Sequence, residues 1–297
     1  MTTPSVKQRF SSRDELGAFF DVLGTRATNN FEEIKELFDL IQDSLQHIRP
    51  LPLREDATLK DSFGRFWQFS DNIFLLSALP SIAQRKNVHA EGDIESDVFH
   101  LFYSISIFFL NVLSKGYLMR GGIAMGNAVF DAQAVLGTAL NKSYEIESSG
   151  KVSGGGIGVD ESVLKFLTDW ATTSKYSTDQ YKTSLNKWMI RTSNQPKPGA
   201  FESNSTSSHM IHLNYFSPEV LEILTPENFD EIFSSLAKGV RISRGHKKVY
   251  DKWIWAAALL YYSAKDDPIS QKFSAFSEQE IADIATVALG IEPYKFS

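Results

Sequence analysis

The 297-residue chain contains no cysteine. Disulfides, thiolate metal centres and cysteine nucleophiles are thereby excluded, and the absence fits a reducing cytoplasm. Long apolar runs are missing too. The two richest stretches, "VFHLFYSISIFFLNVL" (98–113) and "WIWAAALLYYSA" (253–264), both fall short of the ~20 residues that a membrane-spanning helix needs. They read as buried core or interface helices, with no membrane partner implied. The N-terminal "MTTPSVKQRFSSRDELG" lacks the apolar segment of a signal peptide. Positive charge is not in excess: 30 Lys+Arg stand against 36 Asp+Glu, a formal net charge of -6. Nucleic-acid-binding surfaces are basic, so this balance argues against one. Any polyanionic ligand must be held locally, by a metal ion or by backbone amides. A dinucleotide loop is also lacking, because "GGGIGVD" (154–160) has neither the G-x-G-x-x-G spacing nor a later acidic ribose ligand. It reads as a turn. No internal repeat is evident.

What is present is ordinary globular composition, 42% hydrophobic and 22% charged, with phenylalanine common at 22. "LGAFFDVLGTRA" (16–27) starts as an apolar strand and breaks at Gly24. In "NNFEEIKELFDLIQDSLQHI" (29–48) the apolar residues Phe31, Ile34, Leu37, Phe38, Ile41 and Leu45 fall at helical spacing after a possible Asn30 cap. "RFWQFSDNIFLLS" (65–77) reads as a hairpin turning at Ser70-Asp71-Asn72, followed by the apolar helix 97–114. "YLMRGGIAMGNAVF" (117–130) reads as a strand pair interrupted by glycines, and "GTALNKSYEIES" (137–148) as an amphipathic helix. "GGGIGVDESVLKFL" (154–167) then gives a short strand and a helix capped by Asp160. Strand, helix, strand, strand, helix, strand is the split βαβ, ferredoxin-like order. The expected fold is α/β: a βαββαβ core over 1–170, a flexible Ser/Asn-rich excursion over 171–208, and a strand plus a mainly helical region over 209–297 packed on the core.

The chemistry centres on two aspartates. Asp21 closes one apolar strand and Asp71 tips the hairpin, and in a split βαβ sheet those two elements are neighbours. Like charges held close together require that one protonates or that a cation binds between them. Hard divalent ions take oxygen ligands and fill the remainder with water and phosphate oxygens, and "DVLGTR" supplies a strand-to-helix turn whose N–H groups can cradle a phosphate. The alternative is a pair of solvated turn aspartates. His209 and His212 alternate along one strand with no carboxylate beside them, so they read as structural rather than metal ligands. "RISRGHKKVYDKW" (241–253), the one dense basic stretch, reads most simply as a solvated helix start, with contact to a triphosphate as the alternative.

Taken in order, "FFDVLG", "FSDNIFLLS", "MRGGIAMGNAVF" and "GTALNKSYEIE" resemble the blocks of class III nucleotide cyclases over about residues 16 to 165. The resemblance implies that Asp21, Asp71 and the backbone carbonyl of Val22 hold two divalent cations, Mn²⁺ or Mg²⁺, about 3.5–4 Å apart, for in-line attack of the ribose 3′-oxygen on the α-phosphorus. It implies substrate contacts from Phe20, Leu23, Gly24, Thr25 and Arg26, and a ribose-orienting asparagine at Asn141. It also implies a homodimer in which the aspartates and the asparagine of one site come from different protomers. The family's transition-state arginine falls at Glu145, a departure that leaves Arg26, Arg120 or Lys142 to supply the charge. The base-reading positions are Trp67 and Ala134, which cannot make the polar contacts that select adenine. A bulky Trp67 would shrink the pocket toward a pyrimidine, or else it fills the core. This combination is similar to the bacterial pyrimidine cyclases of the Pycsar anti-phage system. The expected reaction is UTP to cyclic UMP and pyrophosphate, with Gln68, Ser70, Gln133 and Thr138 as candidate base-edge partners. The alternatives are CTP as substrate, or a degenerate cyclase domain that binds a nucleotide and regulates something else.

Overall fold

A computed structural model describes residues 13–23, 31–48, 65–69, 71–77, 91–130, 135–148, 152, 154–173, 179–192, 210–264 and 268–295. The first elements are β1 (Arg13–Leu23), α1 (Phe31–Ile48), β2 (Arg65–Phe69), β3 (Asn72–Ser77), α2 (Glu91–Ser114) and β4 (Leu118–Phe130). Their strands lie in the order β2-β3-β1-β4 with every neighbouring pair antiparallel. That is the ferredoxin-like βαββαβ arrangement expected from the sequence. A short β5 (Val135–Gly137) pairs back on β4, and α3 (Thr138–Ser148) crosses to β6 (Ile157–Val159), which lies parallel to β4.

Two-residue alternation divides the sheet into two apolar faces. On one face Leu16, Ala18, Phe20 and Val22 of β1, with Ile73 and Leu75 of β3, join the main core. There they meet Leu37, Ile41 and Leu45 of α1 and Phe102, Ile105, Phe108 and Phe109 of α2. The other face carries a smaller cluster of Phe19, Phe74, Leu76 and Ala128 under Ala139 of α3.

β4 is one 13-residue strand, not the glycine-interrupted pair expected from the sequence. Its glycines do not break it; two of them make room for a helix. A Cβ built on Gly122 would lie 2.2 Å from the Ser143 carbonyl oxygen of α3, and one on Gly126 would lie 2.4 Å from the Thr138 hydroxyl. The chain's own α3 therefore covers this glycine face.

The chain continues through α4 (Glu161–Thr173), α5 (Asp179–Trp188), β7 (Met189–Thr192), β8 (Met210–Leu213), α6 (Pro218–Leu221), α7 (Pro226–Ser243), α8 (Lys247–Ala264), a 3₁₀ turn (Pro268–Ala275), α9 (Glu278–Ala288) and β9 (Ile291–Pro293). Asp160 precedes α4 and its carboxylate accepts a hydrogen bond from the Ser162 N–H at 2.9 Å, as a cap should. Residues 179–192, expected to belong to a surface excursion, instead form α5 and β7, with Leu185, Trp188, Met189 and Ile190 buried. Burial of those four apolar groups outweighs the polar composition around them. β8, β7 and β9 extend the same sheet beyond β6, and β9 was not expected at all. Residues Trp253 to Leu260 of α8 are buried without interruption. Among the described residues no helix is long and apolar enough to cross a membrane.

Candidate active site at the end of β1

The site begins with strand register. Asp21 is the last residue of β1 to pair with the hairpin, opposite Asn72, and on its other side it stands opposite Arg120 of β4. One residue further, the Val22 N–H donates to the Asp71 carbonyl at 3.1 Å. A residue's N–H and C=O point to the same strand edge, so the Val22 carbonyl also faces the hairpin turn. The Asn72 side-chain amide donates to the Asp71 carboxylate at 3.2 Å. Asp21, Val22 and Asp71 are thus brought together at one end of the sheet.

Cross-strand pairing fixes the first cation. Arg120 Nη2 lies 3.5 Å from Asp21 Oδ2, and its Nε forms an ion pair with Glu147 of α3. Glu147 ends the buried stripe Ala139-Ser143-Glu147, which repeats every four residues and so faces the sheet. Its side chain is only 4% exposed. Burial pushes the Glu147 carboxyl above the usual carboxylate range, with Asp21 adding to the rise and Arg120 opposing it. A second cation arrives from the far end of the chain. Lys252 of α8 is within electrostatic reach of Arg120, Asp21 and Glu147; burial and Arg120 lower its pKa, and the two carboxylates pull it back up.

Several expected residues sit elsewhere. The side chain of Phe20 is fully buried, packed edge-on against Phe109 and tilted against Phe108. It belongs to the core because alternation turns it away from Asp21. Leu23 packs on the same core. Gln68 accepts a hydrogen bond from Gln42 of α1, on the helical face opposite Asp21, and Thr138 engages the Asn127 N–H at 2.9 Å. Lys142 pairs with Asp160 at 4.0 Å. Asn141 and Glu145 are exposed on the outer face of α3, away from its buried stripe. Trp67 stands in register with Phe74, which in turn pairs with Phe19. Gly24, Thr25, Arg26, Ser70, Gln133, Ala134 and His209 lie outside the described residues. His212 is structural: it is fully buried, its Nε2 is 3.1 Å from the Thr192 hydroxyl, and its ring packs against Trp255.

Glu147 and Lys252 are the two charged neighbours that sequence reading did not single out. Glu147 left a signal, as a carboxylate in line with Ala139 and Ser143 on an otherwise small, buried stripe. Lys252 lies in the basic stretch 241–253, whose alternative reading is contact with a triphosphate, but nothing in the sequence sets it apart from its neighbours there.

The candidate donors, the Asp21 and Asp71 carboxylates and the Val22 carbonyl, are all oxygens, the ligand type that a hard divalent cation takes rather than a soft one. Among the described residues no group of three or more His, Cys, Asp or Glu side chains is arranged to hold a metal. Water or phosphate oxygens would have to complete the coordination. Arg120 shares Asp21 with any such ion.

No family model matches the chain, and no curated protein does. Among solved structures, that of the guanylyl cyclase Cya2 is similar at a TM-score of 0.36 and 12% identity, covering 69% of this chain and 92% of that one. A likeness this distant carries no argument of its own.

Proposed function

We propose that the chain is a pyrimidine nucleotide cyclase that converts UTP to 3′,5′-cyclic UMP and pyrophosphate. The observation that carries this reading is the 3.1 Å bond from the Val22 N–H to the Asp71 carbonyl. It ties the end of β1, where Asp21 and Val22 lie, to the backbone of Asp71 in the hairpin turn, which supports a shared site there. In this reading Asp21, Val22 and Asp71 hold two divalent cations, Mn²⁺ or Mg²⁺, which supply Lewis acidity when bound. Leu23, which ends β1, and Gly24, Thr25 and Arg26 after it border the triphosphate, and Phe20 contributes through its backbone alone. The ribose is oriented by Asn141 of the partner subunit. The outward position of that residue on α3 is what a composite homodimer site calls for. The 3′-hydroxyl gives its proton to solvent water, its oxygen bonds to the α-phosphorus in line, and the bond from that phosphorus to the α–β bridging oxygen breaks as pyrophosphate leaves. Arg120, with Lys142 as the alternative, offsets the charge that develops on the phosphorus. Trp67 and Ala134 restrict the base to a pyrimidine, with CTP as the alternative substrate. Resemblance to the Pycsar cyclases supports second-messenger synthesis in the cytoplasm as an anti-phage response.

A second reading has its own observation. Among the described residues Arg120 is engaged by Asp21 and Glu147 and Lys142 by Asp160, and the family's arginine position is Glu145. A chain whose cations are taken up in this way can bind a nucleotide without turning it over. Incubation with each labelled nucleoside triphosphate and Mn²⁺ separates the two. Pyrophosphate release supports the enzyme; saturable binding without release supports a nucleotide-binding regulator.

A further inference from the structure

The helix α8 begins in a strongly basic stretch, yet its lysines do not share one environment. Lys247 is exposed and forms a salt bridge with Asp251 one turn on, and Lys248 is exposed as well. Lys252 is partly buried. Its position follows from packing at Gly154. A Cβ on Gly154 would lie 3.0 Å from the Lys252 carbonyl oxygen and 2.7 Å from Trp255 Cβ, so α8 rests directly on the turn before β6. That turn is bonded to β4 beside Arg120, through the Gly121 N–H and the Gly156 carbonyl at 3.0 Å. The buried run from Trp253 to Leu260 immediately follows Lys252 and anchors the helix in the core. Lys252 thus sits on a rigid element, within electrostatic reach of Asp21 at the end of β1.

The charges gathered there are Asp21 and Glu147 against Arg120 and Lys252. Arg120 bridges the two carboxylates directly. Among the described residues Lys252 makes no hydrogen bond or salt bridge and interacts with the group only across space. Holding an ammonium partly out of water without a direct partner is costly. An anion seated beside Asp21 and Asp71 would remove that cost, and a divalent ion on the aspartates would add attraction for it. We infer that Lys252 is a polyphosphate-binding residue, so that the C-terminal helical region completes a site otherwise built by the ferredoxin-like core.

The inference rests on the proposed cyclase reading for the nature of the ligand, a nucleoside triphosphate, but its test does not need turnover. The probe is inorganic tripolyphosphate with Mg²⁺, titrated calorimetrically into the full chain and into Lys252→Met and Lys252→Arg. Loss of one charge-assisted contact weakens binding on the order of 10- to 100-fold in Lys252→Met, with most of it restored in Lys252→Arg. Thermal melts accompany both variants, and if Lys252→Met does not fold, Lys252→Gln takes its place. Equal affinity of wild type and the neutral variant overturns the inference, and so does a wild type that does not bind tripolyphosphate. A wild type that binds it through Lys252 yet releases no pyrophosphate from any nucleoside triphosphate upholds the inference and refutes the cyclase reading.

Discussion

Gly122→Ala probes how the site is held together. The added methyl would fall 2.2 Å from the Ser143 carbonyl oxygen and 2.8 Å from Ile146 Cβ. A side-chain tip can rotate away from such a contact; a helix backbone oxygen cannot. To accommodate the methyl, α3 must lift from the sheet, carrying Asn141 and Glu147 with it. Overpacking costs about 1–3 kcal/mol, and an obstacle made of backbone puts this case near the upper end. The lower chain entropy of alanine in the unfolded state returns about 0.4–1 kcal/mol, leaving a net loss of about 2 kcal/mol. In larger domains each kcal/mol moves Tm by about 2–4 °C, so the variant should melt about 4–8 °C below wild type in differential scanning calorimetry. Gly245→Ala is the control, because a Cβ there meets nothing within 4 Å and surface changes of that kind stay within about 0.5 kcal/mol. If the two variants melt together at the wild-type temperature, α3 does not rest on the glycine face as described.

Asp71→Ala should abolish nucleotide turnover while leaving Tm within a few degrees, because it removes a half-exposed turn carboxylate; parallel loss of folding and activity would make Asp71 structural instead. Asn141→Ala should lower turnover with metal binding unchanged, and mixing it with Asp71→Ala should recover part of the activity through hybrid dimers; no recovery would refute a composite site. Trp67→Ala should raise purine relative to pyrimidine turnover, and an unchanged preference would remove Trp67 from base selection. His212 should weaken the fold in acid. Burial lowers its pKa from 6.5 to about 3, so between those values the unfolded chain binds a proton that the native chain refuses. Stability is full above the unfolded value and falls as pH drops, by up to about 1.4 kcal/mol per pH unit. Urea melts of His212→Gln should show a shallower decline over that range, and an identical decline would contradict the assignment.

The elements that carry local periodicity were legible in the sequence. The apolar strand ending at Asp21, the hairpin around Asp71 and the helix beginning at Phe31 each read correctly, and their order dictated the ferredoxin-like sheet. β4 was misread because glycine is ordinarily a breaker, and only the presence of α3 shows what Gly122 and Gly126 are for. α5 and β7 were missed because Leu185, Trp188, Met189 and Ile190 are few among polar neighbours, and their burial is decided by strands distant in sequence. At the site, cross-strand pairing of Asp21 with Arg120 follows from topology, but the partial burial of Lys252 near them depends on how the α8 backbone meets Gly154, which no sequence pattern encodes. Phe20 shows the opposite case: adjacency to Asp21 suggested a ligand contact, whereas strand alternation sends its side chain into the core.

The most direct test of the central claim is mass spectrometry of the products formed by the purified chain from an equal mixture of ATP, GTP, CTP and UTP with Mn²⁺. Cyclic UMP is the expected main product, absent when Asp71→Ala replaces the wild type. A cyclic purine nucleotide as the main product, or no cyclic nucleotide at all from a chain that still binds triphosphates, would contradict that claim.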